Sequence, residues 1–302
     1  MSEWKLRILD TAEDLLAVEE LQRTVWPGSE TDLVPVHLLV TAAQNGGLVI
    51  GAFQSGSESG EPERLVGFVF GFPGLEDTPE GARPKHCSHM LAVHPDVRNR
   101  GLGFFLKRAQ WQMVRHQGLD RITWTYDPLL SRNAHLNIAK LGAVCNTYRR
   151  EVYGEMRDSL NAGLPSDRFE VDWWVRTERV NRRLSRRARL RLDLAHFLAA
   201  SAEIVNPTQI DDRGFPDPPQ DLMIPSDRAE NSGDASMLLV EIPDDYLTLK
   251  ENDPDLALRW RLHTRALFED LFARGYLATD FVYLPGRHPR SYYVLTHGES
   301  TL

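Results

Sequence analysis

The stretch that most constrains this chain is residues 91–118, LAVHPDVRNRGLGFFLKRAQWQMVRHQG. A short apolar run, Met90-Leu91-Ala92-Val93, breaks at His94-Pro95. It passes through Arg98-Asn99-Arg100-Gly101-Leu102-Gly103 and gives way to a helical pattern. On that helix Leu102, Leu106, Ala109 and Met113 recur at steps of four, three and four, which gathers them on one apolar face. Gly118 stops it. Strand, glycine-bearing turn and helix in this order build an anion site out of backbone. The first amides of a helix have no internal partner and point outward at the positive end of the helix dipole. Glycines at 101 and 103 let a large anion reach those amides without meeting a Cβ.

The residues that follow extend the pattern. Arg121-Ile122-Thr123-Trp124-Thr125-Tyr126 alternates like a strand and ends at Asp127-Pro128. A second short helix over 133–141 closes at Gly142. The R-x-x-G-x-G string after a strand ending in V-x-P resembles the acyl-CoA pyrophosphate loop of the GNAT acyltransferase superfamily. The string N-A-x-x-x-x-x-K-L-G (Asn133, Ala134, Lys140, Leu141, Gly142) resembles that superfamily's second motif. The resemblance covers about residues 4–155. It implies a mixed α/β fold of the GNAT type, with acetyl-CoA or another acyl-CoA as co-substrate and no metal. By the same resemblance, Arg98 and the amides of Asn99, Arg100, Gly101, Leu102 and Gly103 bind the CoA pyrophosphate. Leu91, Ala92 and Val93 offer backbone to the pantetheine arm as if it were an added strand, and the helix of Asn133 lies beside the arm. The motifs do not specify the acceptor.

Read in order, the chain predicts a strand over 5–9, a helix capped near Asp10-Thr11 and running to about Val25, and a helix over 35–44. Strands follow over 48–53 and 65–71, joined by a polar turn at 55–62, then a loop over 74–84 and a strand over 85–93. Residues 148–156 read as a further strand. A boundary rich in Gly, Pro, Asn and Ser at 157–165 divides the chain into 1–158, the acyl-CoA-binding domain, and a C-terminal α/β region, 159–302. That region holds a strand over 169–175, an arginine-rich stretch from Arg176 to Arg191, a long loop over 205–235 and a strand over 236–242. A helix over 255–274 carries Leu258, Leu262, Ala266 and Leu267 near one face, and strands over 278–284 and 291–295 follow. Strand, loop, helix, glycine and strand repeat the order of residues 90–126, which suggests a degenerate partial GNAT repeat. Its loop, Glu251-Asn252-Asp253-Pro254-Asp255, has three acids and no glycine and would repel a pyrophosphate. The other reading is a common α/β pattern without common origin.

At 302 residues and 42% hydrophobic, the chain can bury a sizeable core. Its net charge of −8 argues against nucleic acid as the default partner. The longest apolar run falls short of a membrane span, and charges interrupt the N-terminal region where a signal peptide needs its apolar segment. Cys87 and Cys145 are too few for a disulfide scaffold. The expectation is a cytoplasmic protein with reduced thiols.

Acyl transfer from a thioester to an amine needs a polarised carbonyl, a neutral amine, a held or protonated leaving thiolate, and exclusion of water. Some superfamily members carry a glutamate base where this chain has Cys87, and a thiol is a poor base for this task. Strand alternation puts Cys87, His89 and Leu91 on one face if no bulge intervenes, which makes His89 the nearest base, with His86 across the strand. Many members protonate the thiolate with a tyrosine where this chain has Ile138. Tyr126 is the candidate to replace it, and Tyr153 the second. Asp127 either binds the acceptor amine or caps a turn. The arginine stretch reads as a solvated amphipathic helix with Leu184, Leu190 and Leu192 inward, as a clamp for a carboxylate or phosphate, or as a nucleic-acid surface, which the whole-chain charge disfavours. Together these point to an acyl-CoA-dependent N-acyltransferase that moves an acetyl or succinyl group to a small amine such as an amino acid by direct attack. The rival is a non-catalytic acyl-CoA-binding module. The C-terminal region would wall the acceptor cleft or make a homodimer contact.

Overall fold

The computed structural model describes residues 4–28, 30–55, 62–154, 163–185, 192–220 and 237–297. Most of the polar turn at 55–62, most of the boundary at 157–165, the arginines from Arg186 to Arg191 and the end of the 205–235 loop lie outside the described residues. The chain divides into two compact units. One runs through Trp124 and takes in Trp174–Arg176; the other begins at Thr125 and holds Gly163–Trp173 and the chain from Thr177 onward.

The first unit is a sheet with helices on both faces. Strands β1 (Lys5–Ile8), β2 (Leu48–Gln54), β3 (Arg64–Thr78) and β4 (Gly81–Val93) pair antiparallel in that order, and β5 (Arg121–Tyr126) pairs parallel to β4. Helices α1 (Ala12–Val25) and α2 (Val36–Gln44) cover one face. Thr11 starts α1 by accepting a hydrogen bond from the Asp14 amide. Leu15, Val18, Leu39, Phe68 and Phe70 form the core beneath these helices. The alternate strand residues Ile50 and Val69 turn to the other face and pack with Leu102 and Leu106 of α3 (Leu102–His116). That is the helix face the periodicity marked, with Ala109 and Met113 at its edge.

The predicted loop at 74–84 is instead a two-stranded arm. β3 and β4 stay in register to Thr78↔Gly81, well past Gly71, where β2 stops pairing with β3. Proline and glycine suggested a loop there, but an arm without further neighbours tolerates proline. Side chains hold it as well: Arg121 pairs with Glu76 and Arg83 with Asp120, and both arginines lie over the ring of Trp174.

The second unit contains α4 (Ser131–Ala134), which continues as a π-helix over His135–Lys140, then β6 (Val144–Arg149), β7 (Arg168–Trp174) and α5 (Glu178–Leu184). After these come α6 (Leu194–Ala199), β8 (Glu203–Ile204), the small hairpin of β9 (Gln209–Ile210) and β10 (Pro216–Asp217), and β11 (Leu238–Ile242). Helices α7 (Tyr246–Asn252) and α8 (Pro254–Ala273) precede β12 (Tyr276–Leu284) and β13 (Arg290–His297). The strand order is β7-β6-β12-β13-β11-β8. The strand expected over 148–156 ends at Arg149, because Glu151 and Gly154 both take positive φ and bend the chain. The buried face of α8 keeps only Leu267 of the predicted residues. Leu256, Trp260, Thr264, Leu267, Phe268 and Leu271 point inward, while Leu258 and Leu262 are exposed. Leucine spacing alone missed that Trp260, Arg261 and Phe268 define the packed side.

The pairing of β11 and β12 also differs from the unit they were expected to repeat. β4 and β5 are direct parallel neighbours, whereas β11 and β12 each pair with β13, which lies between them.

Candidate functional site

At the end of β4, a one-residue bulge interrupts the pairing with β3. Phe70 faces Met90 and Gly71 faces Ser88, so His89 is the extra residue. The bulge reverses the alternation on which the common face of Cys87, His89 and Leu91 depended. His86 and Ser88 turn toward α3, as Leu91 and Val93 do beyond the bulge. His89 instead packs edge-on against Phe70 and close to Phe72. Solvent reaches its ring, while the surrounding aromatics hold its pKa below the ordinary histidine value by desolvation. A neutral imidazole at neutral pH is the form that accepts a proton.

Two features of this region bear on ligand binding. The registered pairing of β4 with β5 covers His86↔Ile122 and Cys87↔Thr123, so among the described residues no strand is in register with the β5-side edge of β4 from Ser88 to Val93. Leu91, Ala92 and Val93 hydrogen-bond with β3 on their other side. Beyond Val93 the chain runs into a 3-10 turn, Pro95–Val97, capped by His94, and Arg98 Nε reaches back to donate to the Val93 carbonyl. Asn99 (φ 68) and Gly101 (φ 85) both adopt left-handed backbone. Gly101 is the N-cap of α3, and its carbonyl accepts from the Phe104 and Phe105 amides. A Cβ at Gly101 would meet nothing nearer than the Phe105 ring at 4.0 Å, so it is the φ angle that requires glycine there. Arg98, Asn99, Arg100 and Gly101 are exposed, Gly103 is half-buried in the first turn, and the Leu102 side chain is locked in the core. The turn therefore presents the amides at the start of α3 to solvent.

Behind the bulge is a buried polar chain that sequence reading did not find. Lys107 Nζ donates to Ser88 Oγ (2.9 Å) and Gln110 Oε1 (3.0 Å), Ser88 Oγ donates to Gln110 Oε1 (3.0 Å), and the Gln110 amide donates to His86 Nε2 (3.2 Å). Burial, helped by the Lys107 charge, pushes the His86 pKa down to about 3, and burial pushes Lys107 well below the usual lysine range. Lys107, one position after Leu106 of the apolar face, gave no periodic signal of its own.

The other predicted residues lie in the second unit. Tyr126 is buried with its hydroxyl 3.1 Å from that of Tyr293, which donates to the Pro128 carbonyl. Burial drives the Tyr126 pKa well above 10. Tyr153 is 52% exposed, with its hydroxyl 2.8 Å from Thr125 Oγ1. Asn133 is half-buried in α4. Asp127 does cap a turn, accepting from the Leu129 amide, and it also pairs with buried Arg261 through contacts of 3.0 and 2.5 Å. That double engagement leaves it poorly suited to hold an acceptor amine. Of the described arginines in the arginine-rich stretch, Arg176 and Arg182 are exposed, whereas Arg179 and Arg183 are tied into the second unit. Arg179 donates to the carbonyls of Gly142 and Thr279, and Arg183 pairs with Asp280 at 2.7 Å and donates to the Ala139 carbonyl. Leu184 is buried as expected, Leu192 is 50% exposed, and Leu190 lies outside the described residues.

Both cysteines are free thiols. No helix among the described residues is long and apolar enough to cross a membrane. Among the same residues, no group of His, Cys, Asp or Glu could hold a metal ion.

Comparison with known proteins bears on the first unit and the start of the second. The model of the acetyltransferase (GNAT) family matches residues 15–142. Among solved structures, the chain is similar to Arabidopsis thaliana NAA60 in complex with acetyl-CoA, at 14% identity over 57% of this chain and 99% of that one, with a TM-score of 0.45. It is similar to a putative GNAT-family acetyltransferase from Desulfovibrio desulfuricans at 16% identity over 57% and 99% of the two chains, with a TM-score of 0.41. It is also similar to Ard1 from Thermoplasma volcanium at 16% identity over 57% and 97%, with a TM-score of 0.40. No curated protein matches the sequence. Residues 15–142 therefore match the acetyltransferase (GNAT) family, whose members use acetyl-CoA as co-substrate.

Proposed function

We propose that the protein moves an acetyl or succinyl group from CoA to a small amine such as an amino acid, by direct attack of the amine on the thioester. One observation carries this reading. The unpaired edge of β4 at Leu91–Val93 leads straight into the exposed Arg98–Gly101 turn and the start of α3. An extended arm with amides of its own can add to that edge by strand pairing. Its anionic end then falls at a helix N-terminus, where Arg98 and Arg100 add positive charge. On this reading Leu91, Ala92 and Val93 hold the pantetheine and polarise the carbonyl through backbone donors. Asn99, Arg100, Gly101, Leu102 and Gly103 hold the pyrophosphate by their amides.

His89 is our candidate base. It is solvent-reachable and shifted toward the neutral form. For the general acid, exposure favours Tyr153 over Tyr126, whose hydroxyl is buried against Tyr293. Direct attack requires no covalent enzyme intermediate. We place the enzyme in the cytoplasm, with the C-terminal region available for a homodimer contact.

A screen of amines with acetyl-CoA and succinyl-CoA, read by release of free thiol, tests the reading. Acceptor-dependent release that His89→Ala lowers about 100-fold supports it. Acyl-CoA binding without release on any amine favours instead a non-catalytic acyl-CoA-binding module. That outcome is motivated by Cys87 and by buried Ile138, which stand where other members of the superfamily carry the base and the acid.

A further inference from the structure

Lys107 sits where β4 and β5 part. Ser88, which receives its hydrogen bond, is the residue of β4 immediately before the bulge. Trp124, whose ring centroid lies 3.6 Å from Nζ, follows Thr123, the last β5 residue in register with β4. The lysine is 2% exposed on the sheet-facing side of α3, between apolar Leu106 and the Gln110 amide. A helix position against a sheet is ordinarily apolar, because a buried amine is costly to desolvate. Replacing such a group with an apolar residue of the same length is commonly neutral or stabilising. Packing alone therefore does not account for a lysine here.

We propose that Lys107 is a positioning residue for the acyl-CoA arm. By tying Ser88 to Gln110 and seating on Trp124, it fixes the separation of β4 from β5 and the bulge at His89. It thereby sets the register in which an arm adds to the open edge of β4. Lys107 acts through Ser88 and Trp124 and touches no substrate. The proposal rests on the acyl-CoA reading of that edge.

The test uses the full chain and two probes, acetyl-CoA, which has the arm, and adenosine 3′,5′-bisphosphate, which lacks it. Kd values are measured by calorimetry for wild type, Lys107→Met, Ser88→Ala and the double variant, alongside thermal midpoints. Lys107→Met is expected to weaken acetyl-CoA about tenfold and to leave the bisphosphate within about threefold. The double variant is expected to bind acetyl-CoA no more weakly than Lys107→Met alone, since the two residues act as one unit. Lys107→Gln, which keeps an N–H donor on a shorter side chain, is expected to recover part of the loss. Three results overturn the proposal: unchanged acetyl-CoA affinity in folded Lys107→Met, equal weakening of both probes, or additive losses in the double variant. If Lys107→Met does not fold, Ser88→Ala and Trp124→Phe carry the test with the same limits. Failure of the wild-type protein to bind acetyl-CoA is a different result, because it overturns the acyl-CoA reading itself.

Discussion

Substituting Gly71 by alanine should disturb the bulge from the β3 side. Gly71 lies on β3 facing Ser88, and a Cβ built there would stand 2.3 Å from His86 Nε2, 2.6 Å from the Cys87 carbonyl oxygen and 3.0 Å from Gln110 Nε2. Ordinary contact begins near 3.4 Å, so His86 would have to retreat by roughly 1 Å. It has nowhere to go, being fully buried, and the Cys87 carbonyl belongs to a strand held on both sides. Overpacking of this kind costs about 1–3 kcal/mol. Loss of the Gln110–His86 hydrogen bond adds about 1 kcal/mol. A total of about 2–4 kcal/mol corresponds to a fall of roughly 5–12 °C in the midpoint of the transition that includes this unit. Differential scanning calorimetry measures it, with Gly286→Ala as the control, since a Cβ there meets nothing within 4 Å. A Gly71→Ala midpoint within about 2 °C of wild type would refute the reasoning, because it would mean the bulge relaxes freely.

Two further predictions concern buried charge. His86 has a folded-state pKa of about 3 against an ordinary value of 6.5, because burial disfavours its charged form. Above pH 6.5 it is neutral in both states and does not affect stability. Below that the unfolded chain takes up a proton that the folded one refuses, so stability falls as pH drops. The loss is about 2 kcal/mol between pH 7.5 and pH 5. Urea unfolding at the two pH values should show His86→Gln losing less than wild type by about that amount, and equal losses would contradict it. Arg261→Met strips Asp127 of its buried partner and should cost about 3–5 kcal/mol in urea unfolding. Adding Asp127→Asn should restore part of that, whereas a double variant no more stable than Arg261→Met would exclude an uncompensated carboxylate as the cause.

What the sequence made legible was whatever has a local signature. The glycine turn, the apolar face of α3 and the Thr11 cap each depend on a few adjacent residues, and each stands where the pattern put it. What it concealed was set by partners distant in sequence. The arm at Phe72–Lys85 exists because two strands continue to pair past the edge of their neighbour, and local proline and glycine pointed the other way. The bulge at His89 is a property of register, which alternation within one strand cannot reveal. Lys107 carried no local signal because its partners, Ser88 and Trp124, lie on two other elements. Tyr126 was a candidate acid by position at a strand end. Its engagement with Tyr293, 167 residues on, could only come from tertiary structure.

The central claim is that the open edge of β4 and the Arg98–Gly103 turn bind acyl-CoA. The most direct test is calorimetric titration of acetyl-CoA into the wild-type protein and into the Arg98→Ala, Gly103→Asp double variant, with thermal midpoints to confirm that both are folded. The predicted result is micromolar binding to wild type, about −8 kcal/mol, and none detectable in the variant. Binding of equal strength in both would place the ligand elsewhere, and no binding to wild type would remove the acyl-CoA assignment altogether.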